Sequence, residues 1–282
     1  MYLSDMTREE LTELLEGWGE PRYRAEQVFT WLSGCTPIDG MLNLPRRLRD
    51  RLKSIPYGAV EIAERRVSKK DGTVKYLFRL EDQNLVEGVL MRYHYGNTLC
   101  LSTQVGCRMG CAFCASTLDG CVRNLSAGEM LGQVAAVNRE AAEEGSQRRG
   151  VTNLVLMGSG EPLDNYDNVL RFLRLVSSPG GLCISPRNIS LSTCGLVPMI
   201  DRLMQDAPHV TLSVSLHAHS DEQRTRIMPV NRRYPIGELL AAARRYADVT
   251  GMRVEFENSL IRGFNAARED AHSQEGRLSG MR

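Results

Sequence analysis

Cys107, Cys111 and Cys114 occupy eight residues in the pattern C-x-x-x-C-x-x-C, with the aromatic Phe113 directly before the last thiol. Thiolates are soft ligands that select Fe–S clusters, zinc or Cu(I). A structural zinc site would need a fourth Cys or His close by to complete its tetrahedron. Cys121 lies seven residues past Cys114 and no His falls within residues 98–123, so that tetrahedron closes poorly. Three thiolates at this spacing can instead wrap one face of a cubane and ligate three of its four irons. The fourth iron of such a [4Fe–4S] cluster stays open for a cofactor. The bland alternative is three buried cysteines that happen to be neighbours.

Such a loop must be held by something, and the flanking sequence supplies it. After the cysteines, strand and helix patterns alternate: GEMLGQVAAVNREAAEE reads as helix, NLVLMG as strand, DNVLRFLRLV as helix and NISLSTC as strand. A helix from Pro198, the strand TLSVSLHA, the helix ELLAAARRYADV and the strand RVEFENSLI follow. Continuous apolar strands alternating with amphipathic helices predict a parallel sheet, and connections of consistent hand curl it into all or part of a barrel. The strands end in polar or glycine-rich residues, QVGC, MGSGEP, STCG and SLHA. Ligands of parallel α/β folds bind at C-terminal strand ends, so these four ends outline one expected site.

The first part of the chain differs in character. Thr7-Arg-Glu-Glu10 has the form of a capping box ahead of Leu11, Leu14 and Leu15 at helical spacing. Gly17, Gly19 and Pro21 end that helix, a second begins near Arg22 with Val28, Phe29, Trp31 and Leu32 on its expected buried face, and a basic third covers residues 45–53. Residues 59–95 then read as short strands, with Lys70-Asp-Gly-Thr73 as a hairpin turn between VEIAERRV and VKYLFRL. A further strand, LVEGVLMRY, carries Glu87. The expected organisation is a helical accessory domain (1–58), a β extension (59–97) and a core (98–282).

Composition narrows the class. With 42% apolar and 24% charged residues the chain is an ordinary globular protein, and no apolar run approaches the roughly 18–20 residues that span a bilayer. Eight cysteines, four of them crowded around one motif, with no signal peptide at the N-terminus, predict metal and redox chemistry in the cytoplasm rather than a disulfide framework. Net charge is +1, but residues 42–79 hold 11 Lys/Arg against 4 Asp/Glu, a patch able to hold phosphates or simply to face solvent.

The blocks TLCLSTQVGCRMGCAFCAS, NLVLMGSGEPLDNYDNV, ISLSTCGLVP and SVSLHAHSDEQR…MPVN, taken together, resemble the RlmN/Cfr family of radical S-adenosylmethionine (SAM) RNA methyltransferases, with the RlmN branch favoured. YRAEQVFTWL and DGTVKYLF resemble its N-terminal accessory region. The resemblance implies a partial (βα)6 radical SAM barrel with about five βα units, a [4Fe–4S] cluster, SAM, and methylation of adenosine C2 in 23S ribosomal RNA and transfer RNA. It implies an electron donor such as flavodoxin or ferredoxin, and a monomer. Carried over residue by residue, Cys107, Cys111 and Cys114 match the cluster ligands. Gly160, Glu161, Ser192, Ser215, Leu216 and His217 match SAM contacts. Glu87 matches a proton acceptor, and Cys100 a thiol that resolves a protein–RNA crosslink by forming a disulfide. In that family the methyl group first passes to a cysteine of the enzyme.

The family's methyl-carrying cysteine lies in a C-terminal segment beyond a sixth barrel strand, and none of the eight cysteines here is placed to match it. The expectation is therefore a fragment of such an enzyme. The alternatives are an inactive Fe–S or RNA-binding remnant, and another radical SAM enzyme such as an activase; the GEP, STCG and SLHA blocks count against the latter.

Overall fold

The computed structural model describes residues 1–143 and 150–280. In chain order the helices are α1 (Arg8–Gly17), α2 (Tyr23–Ser33), α3 (Arg46–Leu52), α4 (Ala127–Glu143), α5 (Tyr166–Ser177), α6 (Val197–Asp206), α7 (Asp221–Ile227), α8 (Ile236–Thr250) and α9 (Arg268–Leu278). The strands are β1 (Val60–Val67), β2 (Val74–Leu80), β3 (Leu85–Tyr93), β4 (Gly96–Cys100), β5 (Gln104–Gly106), β6 (Cys121–Asn124), β7 (Asn153–Leu156), β8 (Ile189–Thr193), β9 (Thr211–Ser215) and β10 (Val254–Glu257). The helix expected after the cysteines is α4; Glu144, its last expected residue, lies outside the described residues.

The chain forms two compact units. The first comprises Met1–Ser102, Leu125–Leu154 and Asp167–Ser185. Its α1 starts as the sequence predicts: the Thr7 side chain accepts the N–H of Glu10, and Glu10 Oε2 accepts the N–H of Thr7 at 2.8 Å. Leu11 and Leu15 of α1 and Val28, Phe29 and Leu32 of α2 are buried. Trp31 departs from the expected core face. It is half-buried, because its indole N–H reaches outward to Asn43 Oδ1 at 2.6 Å.

β1 to β4 form an antiparallel meander with pairings such as Val74 opposite Leu90 and Val89 opposite Cys100. Alternation divides its two faces. Val74, Tyr76, Phe78 and Leu80 of β2 and Val86 and Leu90 of β3 are buried, while Lys75, Arg79, Leu85 and Glu87 are exposed. α4 packs on β1, where Val60 lies against Gly132, and Glu140 accepts from both Tyr76 Oη (2.5 Å) and Arg65 Nη1 (2.6 Å). The Asp71 carboxylate accepts the N–H of Thr73 at 3.0 Å and Gly72 has φ +71°, which builds the expected turn.

The second unit comprises Thr103–Asn124, Val155–Tyr166 and Pro186–Arg282. Here β8, β9 and β10 are parallel, with Ser192 opposite Ser213, and Val214 opposite both Thr193 and Phe256. Parallel neighbours need a crossover. α6 makes the first, α7 and α8 the second, and α6 packs on α8. The protein is thus an α/β protein with the strand–helix alternation the sequence predicts. Two elements were not foreseen. DEQRTRI forms α7, capped by Ser220, and β5 pairs with β6 in an antiparallel ribbon that closes the cysteine loop. Ribbon strands of three and four residues are too short to show an alternation.

Candidate active site

The cysteine loop hangs from the β5–β6 ribbon. Gly106 has φ +75°, and a Cβ there would lie 2.0 Å from the carbonyl oxygen of Gly120. Only glycine permits this approach, and it brings the Cys107 N–H onto the same carbonyl at 2.9 Å. Further along, the N–H of Ala112 bonds the carbonyl of Ile227 at 2.9 Å, and Thr117 Oγ1 donates to the carbonyl of Cys114 at 3.0 Å. Both ends of the loop and its middle are therefore fixed.

Fully buried Gln104 ties this loop to the turn after β7. Its amide nitrogen donates to Asn124 Oδ1 and Asp164 Oδ2, both at 2.8 Å, and its Oε1 accepts the N–H of Glu161 at 2.9 Å. Arg108 joins Asp164 at 2.8 Å. Gly160, with φ +108°, passes so close that a Cβ would meet Gln104 Cβ at 2.6 Å.

Glu161 is buried, and its carboxylate is held by backbone. Oε1 accepts the N–H of Leu163 at 3.0 Å, and Oε2 that of Cys194, just past β8, at 2.7 Å. Burial pushes its carboxyl above the usual range, and those N–H groups oppose the shift. At the ends of the next strands, Glu257 Oε2 accepts from the hydroxyls of Ser215 (3.2 Å) and Ser192 (3.4 Å). Burial raises the Glu257 carboxyl as well, against the two hydroxyl bonds.

His217 follows β9 in a left-handed conformation (φ +57°). Its Nδ1 accepts the N–H of Ser259 at 3.0 Å, and its ring meets that of Phe113 edge to face at 4.8 Å. Burial, aided by the Arg224 guanidinium, lowers its pKa to about 4, so the ring is neutral at pH 7. Arg224 is itself fully buried and clamps strand ends by donating to the carbonyls of Cys194 (2.6 Å), Ser215 (3.0 Å) and Leu216 (3.1 Å) and to Asn231 Oδ1 (3.1 Å).

These pieces enclose a cavity of about 280 Å³ within the second unit. Cys107, Cys111, Phe113 and Cys114 line it from the loop, Gly160 and Glu161 from the turn after β7, and Ser192, Ser215, His217 and Glu257 from the ends of β8, β9 and β10. Leu216 is fully buried, giving its N–H to the carbonyl of Glu257. Burial pushes the Cys107 thiol up to about 11 and that of Cys111 to about 12. Metal must displace those protons to bind. Among the described residues no three His, Cys, Asp or Glu side chains are grouped to chelate one ion. Ligands of a cubane need not converge so, since each takes a different iron. Three soft thiols lining one cavity together with a carboxylate and hydroxyls fit a cluster and the amino-acid end of SAM as a donor set.

The other two expected residues lie in the first unit. Glu87 and Cys100 are on β3 and β4; Cys100 pairs with Val89, two residues past Glu87, and the alternation puts both on the face turned from the core. Glu87 forms an ion pair with Lys75 at 2.7 Å. None of the eight cysteines is in a disulfide, so the pairing expected of Cys100 is not formed. Val89 stands beside Cys100 in the sheet, and none of the eight cysteines matches the methyl-carrying partner that this disulfide requires.

Comparison with known proteins gives the family. Residues 101–271 match the radical SAM superfamily, and residues 1–57 match the ribosomal RNA large subunit methyltransferase N-terminal domain. The chain is 48% identical, over 100% of its length and 81% of the relative's, to a probable dual-specificity RNA methyltransferase RlmN of Thermoanaerobacter sp.. The chain belongs to the RlmN family of radical SAM RNA methyltransferases. Another RlmN relative, of Clostridium acetobutylicum, is 47% identical over 98% of this chain and 79% of its own. The crystal structure of a radical SAM methyltransferase from Sphaerobacter thermophilus superposes with a TM-score of 0.93 at 45% identity, covering 100% of this chain and 82% of that one. Radical SAM enzymes of this family use a [4Fe–4S] cluster and SAM. No helix among the described residues is long and apolar enough to cross a membrane.

Sequence reading missed Gln104, Arg224 and Glu257. Glu257 carried a weak signal, an acid ending an apolar strand. Gln104 opens the strand end QVGC and Arg224 closes SVSLHAHSDEQR, but neither shows its partners, which are distant in the chain.

Proposed function

We propose that this protein methylates C2 of adenosine in 23S ribosomal RNA and transfer RNA through an S-methylcysteine intermediate, in the cytoplasm, as a monomer reduced by a flavodoxin or ferredoxin. The observation that carries the reading is that one cavity is lined together by three thiols, a buried carboxylate and the polar ends of parallel strands. Cys107, Cys111 and Cys114 would hold the cluster. Gly160, Glu161, Ser192, Ser215, Leu216 and His217 would hold SAM. When bound, the cluster supplies the electron that cleaves SAM to a 5′-deoxyadenosyl radical, which suits a target carbon too electron-poor to attack a methyl group.

The chain's own residues then have defined tasks. Glu161 orients an ammonium through charge-assisted hydrogen bonds. Ser192 and Ser215, held by Glu257, offer hydroxyls, and neutral His217 keeps Nδ1 committed to Ser259. Glu87 accepts the C2 proton, and Cys100 supplies the thiol that frees the methylated base. We read residues 1–58 as the accessory domain, 59–97 as its β extension and 98–282 as the core. None of the eight cysteines of Met1–Arg282 is assigned the methyl-carrying role.

The test incubates the reconstituted chain with SAM, a reductant and unmodified ribosomal RNA, followed by nucleoside analysis. The expected result is cleavage of SAM, with 2-methyladenosine as the methylated nucleoside. A methylated nucleoside other than 2-methyladenosine overturns the assignment of C2.

A further inference from the structure

The meander brings two turns to the same end of its sheet, that between β1 and β2 and that between β3 and β4. Tyr93 pairs with Gly96, so the second turn has a two-residue tip, His94 and Tyr95. Favoured two-residue hairpins put Asn-Gly or a similar pair at such a tip, where positive φ is required. Here neither tip residue has positive φ, which falls instead on Gly96 (φ +154°). A Cβ on Gly96 would lie 2.2 Å from Thr152 Oγ1, while the N–H of Thr152 donates to the carbonyl of Asn97 (2.9 Å) and the N–H of Asn97 to Thr152 Oγ1 (3.0 Å), so the turn is braced from below.

This turn holds large rings in water. Tyr93 and Tyr95 are 46% and 62% exposed, yet they stack with centroids 5.0 Å apart and planes 9° from parallel. His94 adds an edge contact to Tyr95 at 5.2 Å. A pre-stacked, exposed pair is a surface onto which a third flat ring can stack at little cost in side-chain order. Lys69 and Lys70 are exposed on the neighbouring turn, about a strand spacing or two away at roughly 4.8 Å per strand. Aromatic rings interleaved with lysines suit single-stranded nucleic acid, whose bases stack and whose phosphates take the charge.

We propose that this end of the meander contacts an unpaired segment of the RNA substrate, the Tyr93–Tyr95 stack receiving a base and Lys69 and Lys70 its phosphates. The inference rests on RNA being the substrate.

The test uses the chain Met1–Arg282 and an RNA hairpin carrying one 2-aminopurine in its loop, with a fully paired duplex for comparison. Tyr95→Leu weakens hairpin binding about 10-fold, and Tyr95→Phe, which keeps the ring, changes it less than about twofold. The fluorescence quenching that accompanies binding is lost in the Tyr93→Leu/Tyr95→Leu variant. The slope of affinity against salt stays constant in the tyrosine variants and falls by about 1–2 in Lys69→Ala/Lys70→Ala, because only the lysines release counterions. Undiminished hairpin binding and quenching after loss of both tyrosines overturns this inference and leaves RNA as substrate. Failure of the unaltered chain to bind either RNA overturns both.

Discussion

The Oε2 atom of Glu161 accepts the backbone N–H of Cys194 at 2.7 Å, joining the turn after β7 to the end of β8. With Oε1 on Leu163, the carboxylate is both a structural tie and one wall of the cavity. In Glu161→Gln the amide nitrogen faces one of these N–H donors, and one bond is lost. Chemical denaturation should show a loss of about 1–3 kcal/mol. Calorimetric titration of the reconstituted protein should show SAM binding at least about 10-fold weaker, since the charge is gone.

Replacing Cys107, Cys111 or Cys114 by Ala should abolish the iron–sulfur absorbance after anaerobic reconstitution, while the unaltered chain takes up about four irons. Cys183→Ala should behave like the unaltered protein, because Cys183 is exposed and outside the cavity. Stoichiometric zinc without iron would sink the cluster assignment.

Gly106→Ala should cost iron uptake with all three thiols intact. The new Cβ would collide with the Gly120 carbonyl and force apart the ribbon that sets the loop. Iron and sulfide content, measured beside far-ultraviolet circular dichroism, separates this local effect from global unfolding.

His217 makes stability pH-dependent. Its folded pKa of about 4 lies below the ordinary value of 6.5, so between these pH values the unfolded chain binds more protons. The contribution, about 3 kcal/mol, is fully present above pH 6.5 and is lost as pH falls toward 4. Denaturation of the cluster-free protein across that window should show this slope, and His217→Phe should flatten it.

Arg224→Met should destabilise by about 3 kcal/mol or more, because it leaves three buried carbonyls without the guanidinium that satisfies them. Thermal unfolding measures it. A change under about 1 kcal/mol would mean that water replaces the guanidinium.

Features whose causes are local could be read from the order of the residues. The cysteine spacing, the Thr7–Glu10 cap, the Asp71–Gly72 turn and the alternation of apolar strands with amphipathic helices each arise within about a dozen neighbouring residues. Their backbone periods and hydrogen bonds can therefore be read without a fold. The remaining features depend on contacts between residues far apart in the chain. Glu161 meets Cys194 33 residues away, Gln104 meets Asp164 across 60, and Glu257 takes the hydroxyls of Ser192 and Ser215 from 65 and 42. Buried polar groups must find partners, but which ones they find depends on which strand ends the sheet brings together. Trp31 shows the same division: helical spacing set its place beside the core, and one bond to Asn43 turned its ring toward solvent.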